Sequence, residues 1–517
     1  MGFFDGALGP LQFKSSTTTI LLIILSSCVF ATTTGYDTAL INGINILPSY
    51  TSTLKLTTAT KSLNSAASFL GWAVVSTFMG PVVDRVGRRT GVLISVALKI
   101  VGVVLMSCAQ EVGMFVVGRM VLGAGSGTSS IAASTLMAGR DFASQMASVR
   151  PGLHLLNLLC ALIAAGVTYA TADLAGSLAW RLPCALQALF SVVCGLILLF
   201  VPESPRWLVH RDRCDDALTV LASTHSNGDK EDPLTQLQYK EIVDTIEWER
   251  NTGKKMTYGE VFRTPNSRRR LMLVVSVAVL AMASGNNIIS YYLGDMLSNA
   301  GITNTHIQLE INIGLNAWCL VISLIGTWLV GKAGRKTMAL FSIAGMIIFI
   351  FLIGALTKLY GNGGNNPGIY SAVATIYLFQ GSYAIGITPL TILYPPEVLN
   401  FSIRSNGMAA WTFAITCGGL FSVFVWPFAL KAIGWETYMI NACWDVVMFV
   451  FVAYFWIETK GLTLEEIDAK FDAVTGGGVG SGDIEGPKTI DGLEISHASG
   501  KLNKMDVAIK TSCETRA

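Results

Sequence analysis

Charge is scarce in this sequence. Asp, Glu, Lys and Arg supply 14% of its 517 residues, whereas a soluble globular chain carries roughly a quarter. The apolar share is 52% and the mean hydropathy +0.54, so most of the chain has lipid rather than water as its solvent. A basic excess is also missing: 36 Lys and Arg stand against 34 Asp and Glu, which removes the electrostatic footprint of nucleic-acid binding. None of the ten cysteines has C-x-x-C spacing and most lie inside apolar runs, so they read as small packing residues. The five histidines (His154, His210, His225, His306, His497) are scattered without ligand spacing, which leaves no pattern for a metal centre or a catalytic triad. The glycine-rich stretch at Gly123, Gly125 and Gly127 lacks the G-x-x-x-x-G-K-S/T of a phosphate loop. Its glycines space small faces for helix packing instead. No enzymatic activity, cofactor or metal is expected.

Long apolar runs are what the chain has in quantity. A bilayer-spanning helix needs about 20 mainly apolar residues, and such runs recur near 17–45, 65–83, 90–110, 112–137, 152–173, 183–201, 271–297, 308–330, 337–357, 369–395, 404–430 and 434–457. The first is too long for a signal-peptide core and lacks a clean cleavage site, so it is expected to be retained as a span. The pattern predicts an all-α integral membrane protein of twelve transmembrane helices in two six-helix bundles, 17–201 and 271–457. Residues 1–16 form a short N-terminus and 202–270 a polar connection. Gln236 to Trp248 in that connection repeats its apolar residues at helical spacing. Residues 458–517 form a tail, expected to be largely disordered after 470, where GGGVGSG begins a polar, aperiodic stretch.

Lys and Arg in short loops mark the cytoplasmic side. The loops grouped with the N-terminus carry ten (Lys14, Arg85, Arg88, Arg89, Arg140, Arg150, Lys332, Arg335, Lys336, Arg404). The other set carries five (Lys55, Lys61, Arg181, Lys358, Lys431). Both termini and 202–270 are therefore expected in the cytosol. Marker residues recur at nearly one offset: 247 residues separate Gly87 from Gly334, 254 separate Arg150 from Arg404, and 255 separate Glu203 from Glu458. Such a duplication is a device of secondary carriers, whose site lies near the midplane between halves that rock.

Four motifs carry a resemblance. They are Asp84-Arg85-Val86-Gly87-Arg88-Arg89, Gly118-Arg119 with the three glycines that follow, Pro202-Glu203-Ser204-Pro205-Arg206-Trp207, and Glu458-Thr459-Lys460-Gly461. In this order, over about residues 17–470, they resemble the sugar porters of the major facilitator superfamily. Ser284-Gly285-Asn286-Asn287 followed by Tyr291-Tyr292 is most similar to the fungal lactose and hexose permease branch. The resemblance implies alternating access, with charge networks at the cytosolic helix ends that hold that side closed and break on turning inward. Its members here are Asp84, Arg85, Arg88, Arg150, Glu203 and Arg206 in the first half, and Lys336, Glu397, Arg404 and Glu458 in the second. Service as topology signals alone is the other reading.

Asp37 puts a carboxylate inside the first run, and a buried acid in a membrane is a functional hypothesis by default. It lies roughly 12 Å from the outer end of its helix and Arg119 roughly 10 Å from that of its own, so their depths match. Proton-coupled members of the family have an acid and an arginine at these positions, which implies proton symport. A purely structural pair is the alternative. For a sugar, the resemblance points to Asn287, and Asn286, Tyr291 and Tyr292 stand beside it, the tyrosines also suited to an outer gate. Asn157, Asn316, Gln380 and Trp411 add amides and an aromatic face, each equally suited to helix packing.

The departures from the family pattern bear on substrate and lock. Ala281-Met282 stands where a Gln-Gln pair is usual, and Gly331 where an aspartate is usual. Met137-Ala138-Gly139-Arg140 lacks an acid, with Asp141 the nearest substitute. Lys99 and Asp445, near mid-membrane, match no family motif; they either serve an unusual substrate or pack and snorkel. The expected function is proton-coupled symport of a sugar or polyol across the plasma membrane, with no obligate protein partner. A quinate-like acid or secondary metabolite is the alternative cargo, and a non-transporting nutrient sensor the third reading.

Overall fold

The computed structural model describes residues 16–76, 78–138, 143–251, 264–361, 366–399, 403–460 and 471. Among them all regular structure is helical. The first half contains α1 (Ser16–Ile46), a short α2 (Pro48–Thr53), α3 (Thr58–Ser76), α4 (Met79–Val86), α5 (Arg88–Ser107), α6 (Val112–Ala138), α7 (Ala143–Thr171) and α8 (Leu178–Leu198). The connection folds as α9 (Pro205–His210), α10 (Cys214–His225) and α11 (Pro233–Asn251). The second half contains α12 (Pro265–Ala283), α13 (Asn286–Asn299), α14 (Thr305–Ala333), α15 (Arg335–Tyr360), α16 (Asn366–Val398), α17 (Arg404–Ala432) and α18 (Glu436–Phe455).

Eight segments among the described residues are long and apolar enough to cross a bilayer, with α12 and α13 counted as one. The pair α3 and α4, bent by 60° at its break, makes a ninth. Helices α1, α6 and α7, of 31, 27 and 29 residues, pack in the same bundles and complete the twelve runs. The lipid-facing surface is apolar, as Phe421, Phe341 and Trp328 illustrate, each more than half exposed. Two of the runs are thus broken where hydropathy reads them as continuous.

The same packing relations occur twice. Helix α5 lies on α6 and α8, and α1 on α7; six spans later, α15 lies on α16 and α18, and α12 on α17. The halves meet where α3 packs on α17, α7 on α14, and α1 on α13. We call the side where α1 begins and α18 ends the terminal face, and the opposite side the distal face. Helices α9 to α11 enclose a small core of Leu208, Leu221, Tyr239 and Ile242. They dock on α4 through Trp207 Nε1 to Asp84 O at 2.8 Å and an Arg211 nitrogen to Arg85 O at 2.6 Å.

Candidate functional site

Asp37 and Arg119 meet inside the first half. An Arg119 terminal nitrogen donates to Asp37 Oδ1, with the two side chains 1% and 13% exposed for arginine and aspartate respectively. The guanidinium is also anchored on α3, by Ser68 Oγ at 3.0 Å and Asn64 O at 3.4 Å. It therefore keeps acceptors for its N–H groups if the carboxylate loses its charge. Lys99 is buried as well, and its Nζ donates to Thr33 Oγ1 at 2.8 Å, one helical turn of α1 from Asp37. Its head does not reach a membrane surface.

The second half is opened at its first span. Gly285, at φ +80°, sits between α12 and α13 in the left-handed region that favours glycine. A helix end leaves carbonyls without intrahelical donors, and inside a membrane each must find another. Here Ala281 O accepts from Tyr383 Oη at 3.3 Å, Met282 O from Ser422 Oγ at 2.8 Å and Asn287 Nδ2 at 2.9 Å, and Ala283 O from Asn441 Nδ2 at 3.4 Å. Further polar atoms are buried with no hydrogen-bond partner among the described residues: Asn286 Oδ1 at the break itself, Gln380 Oε1 on α16 and Trp411 Nε1 on α17. Helices α13, α16 and α17 are in mutual contact. Buried polar atoms are nearly always paired, so these groups mark a place where a polar ligand or water belongs.

On the distal side the halves are joined. Asn42 of α1 inserts its amide into α13: Nδ2 donates to Ile289 O at 3.3 Å and Oδ1 accepts from Leu293 N at 3.3 Å. Those are the two ends of one i to i−4 step, and between them Tyr292 has left helical geometry at φ −133°, ψ 31°. Asn42 also reaches Asn312 Oδ1 at 3.1 Å, and Asn45 donates to Tyr291 O at 3.1 Å. Nearer the surface, Lys61 pairs with Asp295 at 2.8 Å, Tyr169 donates to Glu310 at 3.2 Å, His306 stands 3.2 Å from Asp173, and Lys431 donates to Thr58 at 3.2 Å. A crevice of about 320 Å³ lies beside this seam, lined by Lys61, Asp295, Asn299 and Lys431 among others.

At the terminal face two glutamates cap two helices. Glu203 accepts from the backbone N–H of Arg88 and Arg89 at 3.0 to 3.1 Å, at the start of α5. Glu458 accepts from Arg335 N at 2.7 Å and Lys336 N at 3.0 Å, at the start of α15. A carboxylate there satisfies orphan donors and the positive end of the helix dipole. Gly87 and Gly334 precede these helices at φ +112° and +92°, and a Cβ on either would stand within 2.7 Å of the glutamate oxygen. Burial pushes the Glu458 carboxyl up, but the backbone donors of Arg335, Lys460, Lys336 and Thr337 outweigh it and hold it below the usual glutamate range.

A profile of the sugar (and other) transporter family matches residues 21–471. The chain belongs to this family. The major myo-inositol transporter IolT of Bacillus subtilis is 27% identical over 483 residues, 92% of this chain and 97% of the relative. The high-affinity glucose transporter of Kluyveromyces lactis is 27% identical over 438 residues, 78% of this chain and 75% of the relative. Among solved structures, the proton:xylose symporter XylE bound to 6-bromo-6-deoxy-D-glucose superposes with a TM-score of 0.70 at 22% identity, covering 88% of this chain and 100% of that one. That likeness shows the major facilitator fold.

In this family member the residues singled out from sequence fall into distinct places. Asp37 and Arg119 are brought together. Asn286 and Asn287 begin α13 at the break, where Asn287 caps a freed carbonyl, and Gln380 and Trp411 lie on α16 and α17, which pack on α12 and α13. Asn316 turns back onto Asn312 O at 2.8 Å, and Asn157 lies against Gly35 of α1. Tyr291 packs edge-on against Phe69 of α3, and Tyr292 is fully buried with its hydroxyl on Val423 O at 2.6 Å. At the terminal face Asp84 and Arg85 are exposed, Arg206 is half-buried, and Arg88 donates to Ser204 Oγ at 2.8 Å. Glu397 pairs with Arg335 at 2.9 Å and accepts from Thr459 at 2.6 Å. The Arg150 and Arg404 side chains, and Gly139 to Asp141, lie outside the described residues. Sequence reasoning passed over Asn42, Asn45, Asn312 and Asn441. A count of amides inside the apolar runs finds all four.

Proposed function

We propose that this transporter carries a sugar or related polyol together with a proton, by alternating access at the plasma membrane. The termini and α9 to α11 lie in the cytosol, so the distal face is outside and the state described is closed to the exterior. The observation that carries the coupling is the buried Asp37–Arg119 pair. When Asp37 takes a proton, the ion pair is lost while Ser68 and Asn64 still accept from the guanidinium, so α1 is released from α6 with the buried cation still partly solvated by neutral acceptors. The cargo hydroxyls pair with Asn286, Asn287, Gln380 and Trp411, with Asn157 and Asn316 on the facing helices. Tyr291 and Tyr292 close over them from outside. Asp84, Arg85, Arg88, Arg150, Glu203, Arg206, Glu397, Arg404 and Glu458 form the cytosolic gate, and packing alone holds the chain without an obligate partner. A polyol carrier and a glucose carrier among the relatives, and a proton symporter among the structures, support the reading.

The test is uptake of labelled sugars, polyols and acids in transport-deficient yeast, in acidic and mildly alkaline medium. Asp37→Asn is expected to abolish accumulation and spare exchange; undiminished accumulation by that variant refutes the mechanism. One observation favours a second cargo. Lys99 adds a buried cation one turn from Asp37, and two cations beside one carboxylate suit a quinate-like acid, which the same panel detects.

A further inference from the structure

Asp445 lies midway along α18, nine residues from Glu436 and ten from Phe455. It is wholly buried; the Asn441 amide one turn earlier stands beside it, and neither carboxyl oxygen makes a hydrogen bond of full geometry among the described residues. Helix α18 packs on α15 and α12, and neither presents a charge at this depth. On α15 the charged side chains are Arg335 and Lys336 at one end and Lys358 at the other; on α12 they are Arg268, Arg269 and Arg270, at the terminal face. On α18 itself the charged residue besides Asp445 is Glu436, at the distal end. An ionised carboxylate with one amide beside it and no counter-charge is among the least favourable groups a membrane interior can hold. The position is nonetheless tied to the α12–α13 break. Asn441, one turn before Asp445 on α18, donates to Ala283 O at the α12–α13 break, and a Cβ on Gly285 would stand 2.9 Å from its Oδ1. Ser284 Oγ and Asn441 Oδ1 at the same break are likewise buried and unpaired among the described residues. Broken spans with exposed helix ends are where carriers bind their coupling ions.

We infer that Asp445 is a proton-binding site in the second bundle: neutral in the state closed to the outside, it gives up its proton when α13 moves and Asn441 is released from the break. The carrier then binds one proton in each half. Only this last count rests on the coupling assigned to Asp37.

Infrared difference spectroscopy of the reconstituted carrier tests it. The wild type is expected to show a neutral-acid carbonyl band that shifts in heavy water and weakens when substrate drives the cycle. The band should persist in Asp37→Asn and vanish in Asp445→Asn, and proton flux per substrate should fall by one in Asp445→Asn while exchange continues. Absence of the band in wild type overturns the neutral state, without recourse to any variant. A band that never changes during turnover overturns the proton transfer and leaves a structural acid. A response to sodium at constant pH overturns the choice of ion. Failure of Asp37→Asn to lose accumulation, with the Asp445 band intact, removes only the Asp37 reading.

Discussion

Replacing Asn42 with leucine should unlatch the distal side. The amide makes three buried hydrogen bonds across the seam, to Ile289 O, Leu293 N and Asn312. Each contributes about 1 kcal/mol. Straightening of α13 lets Leu293 N return to Ile289 O and recovers about 1 kcal/mol of that loss. The net bias against the closed state is about 2 kcal/mol, roughly a 30-fold change in the open-to-closed ratio. The assay is a pair of spin labels on exposed Ser52 of α2 and exposed Asn299 of α13, one on each half beside the seam. Wild type should give one short-distance population, and Asn42→Leu a second, longer one whose share relative to the first rises roughly 30-fold. An unchanged distance distribution in a folded variant would falsify the role given to this amide.

Three further outcomes follow from the geometry. Glu458→Gln should cost about 1 kcal/mol of thermal stability at neutral pH by uncapping α15. Because the native carboxyl titrates below its ordinary range, the wild-type advantage is full above that range and lost as pH falls through the native pKa. Melting curves of both forms should therefore converge in acid. Gln380→Leu and Trp411→Phe remove buried unpaired polar atoms of α16 and α17, so each should raise KM for a hydroxylated cargo roughly tenfold while leaving the fold intact; a KM unmoved by both refutes the site. Exchanging the charges of Lys61 and Asp295 together should restore what either reversal alone loses. The single effect should stay under about 1 kcal/mol, because Asp295 is 41% exposed, and transport rates of the three variants measure it.

The twelve spans and the duplication were visible in sequence because hydropathy and marker spacing are local, additive signals. The Asp37–Arg119 contact was also within reach, since a fixed rise per residue converts position into depth. The breaks at Ser284-Gly285 and near Phe78 were not, because hydropathy counts side chains and is blind to the backbone that Gly285 allows to turn. Glu203 and Glu458 stand out in sequence as members of a charge network among side chains. That they lie on main-chain N–H groups depends on helix starts no charge count reveals. Arg335 was read as a topology residue, yet it is the partner of Glu397. Asn42 meets α13 about 250 positions along the chain, a contact that only the assembled halves create.

The splice of Asn42 into α13 makes closure of the distal side in part an exchange reaction. Of the three bonds the amide surrenders when the bundles part, the turn of α13 restores one as Leu293 N returns to Ile289 O. That return lowers the cost of opening without cancelling it, so the seam holds firmly and still gives way.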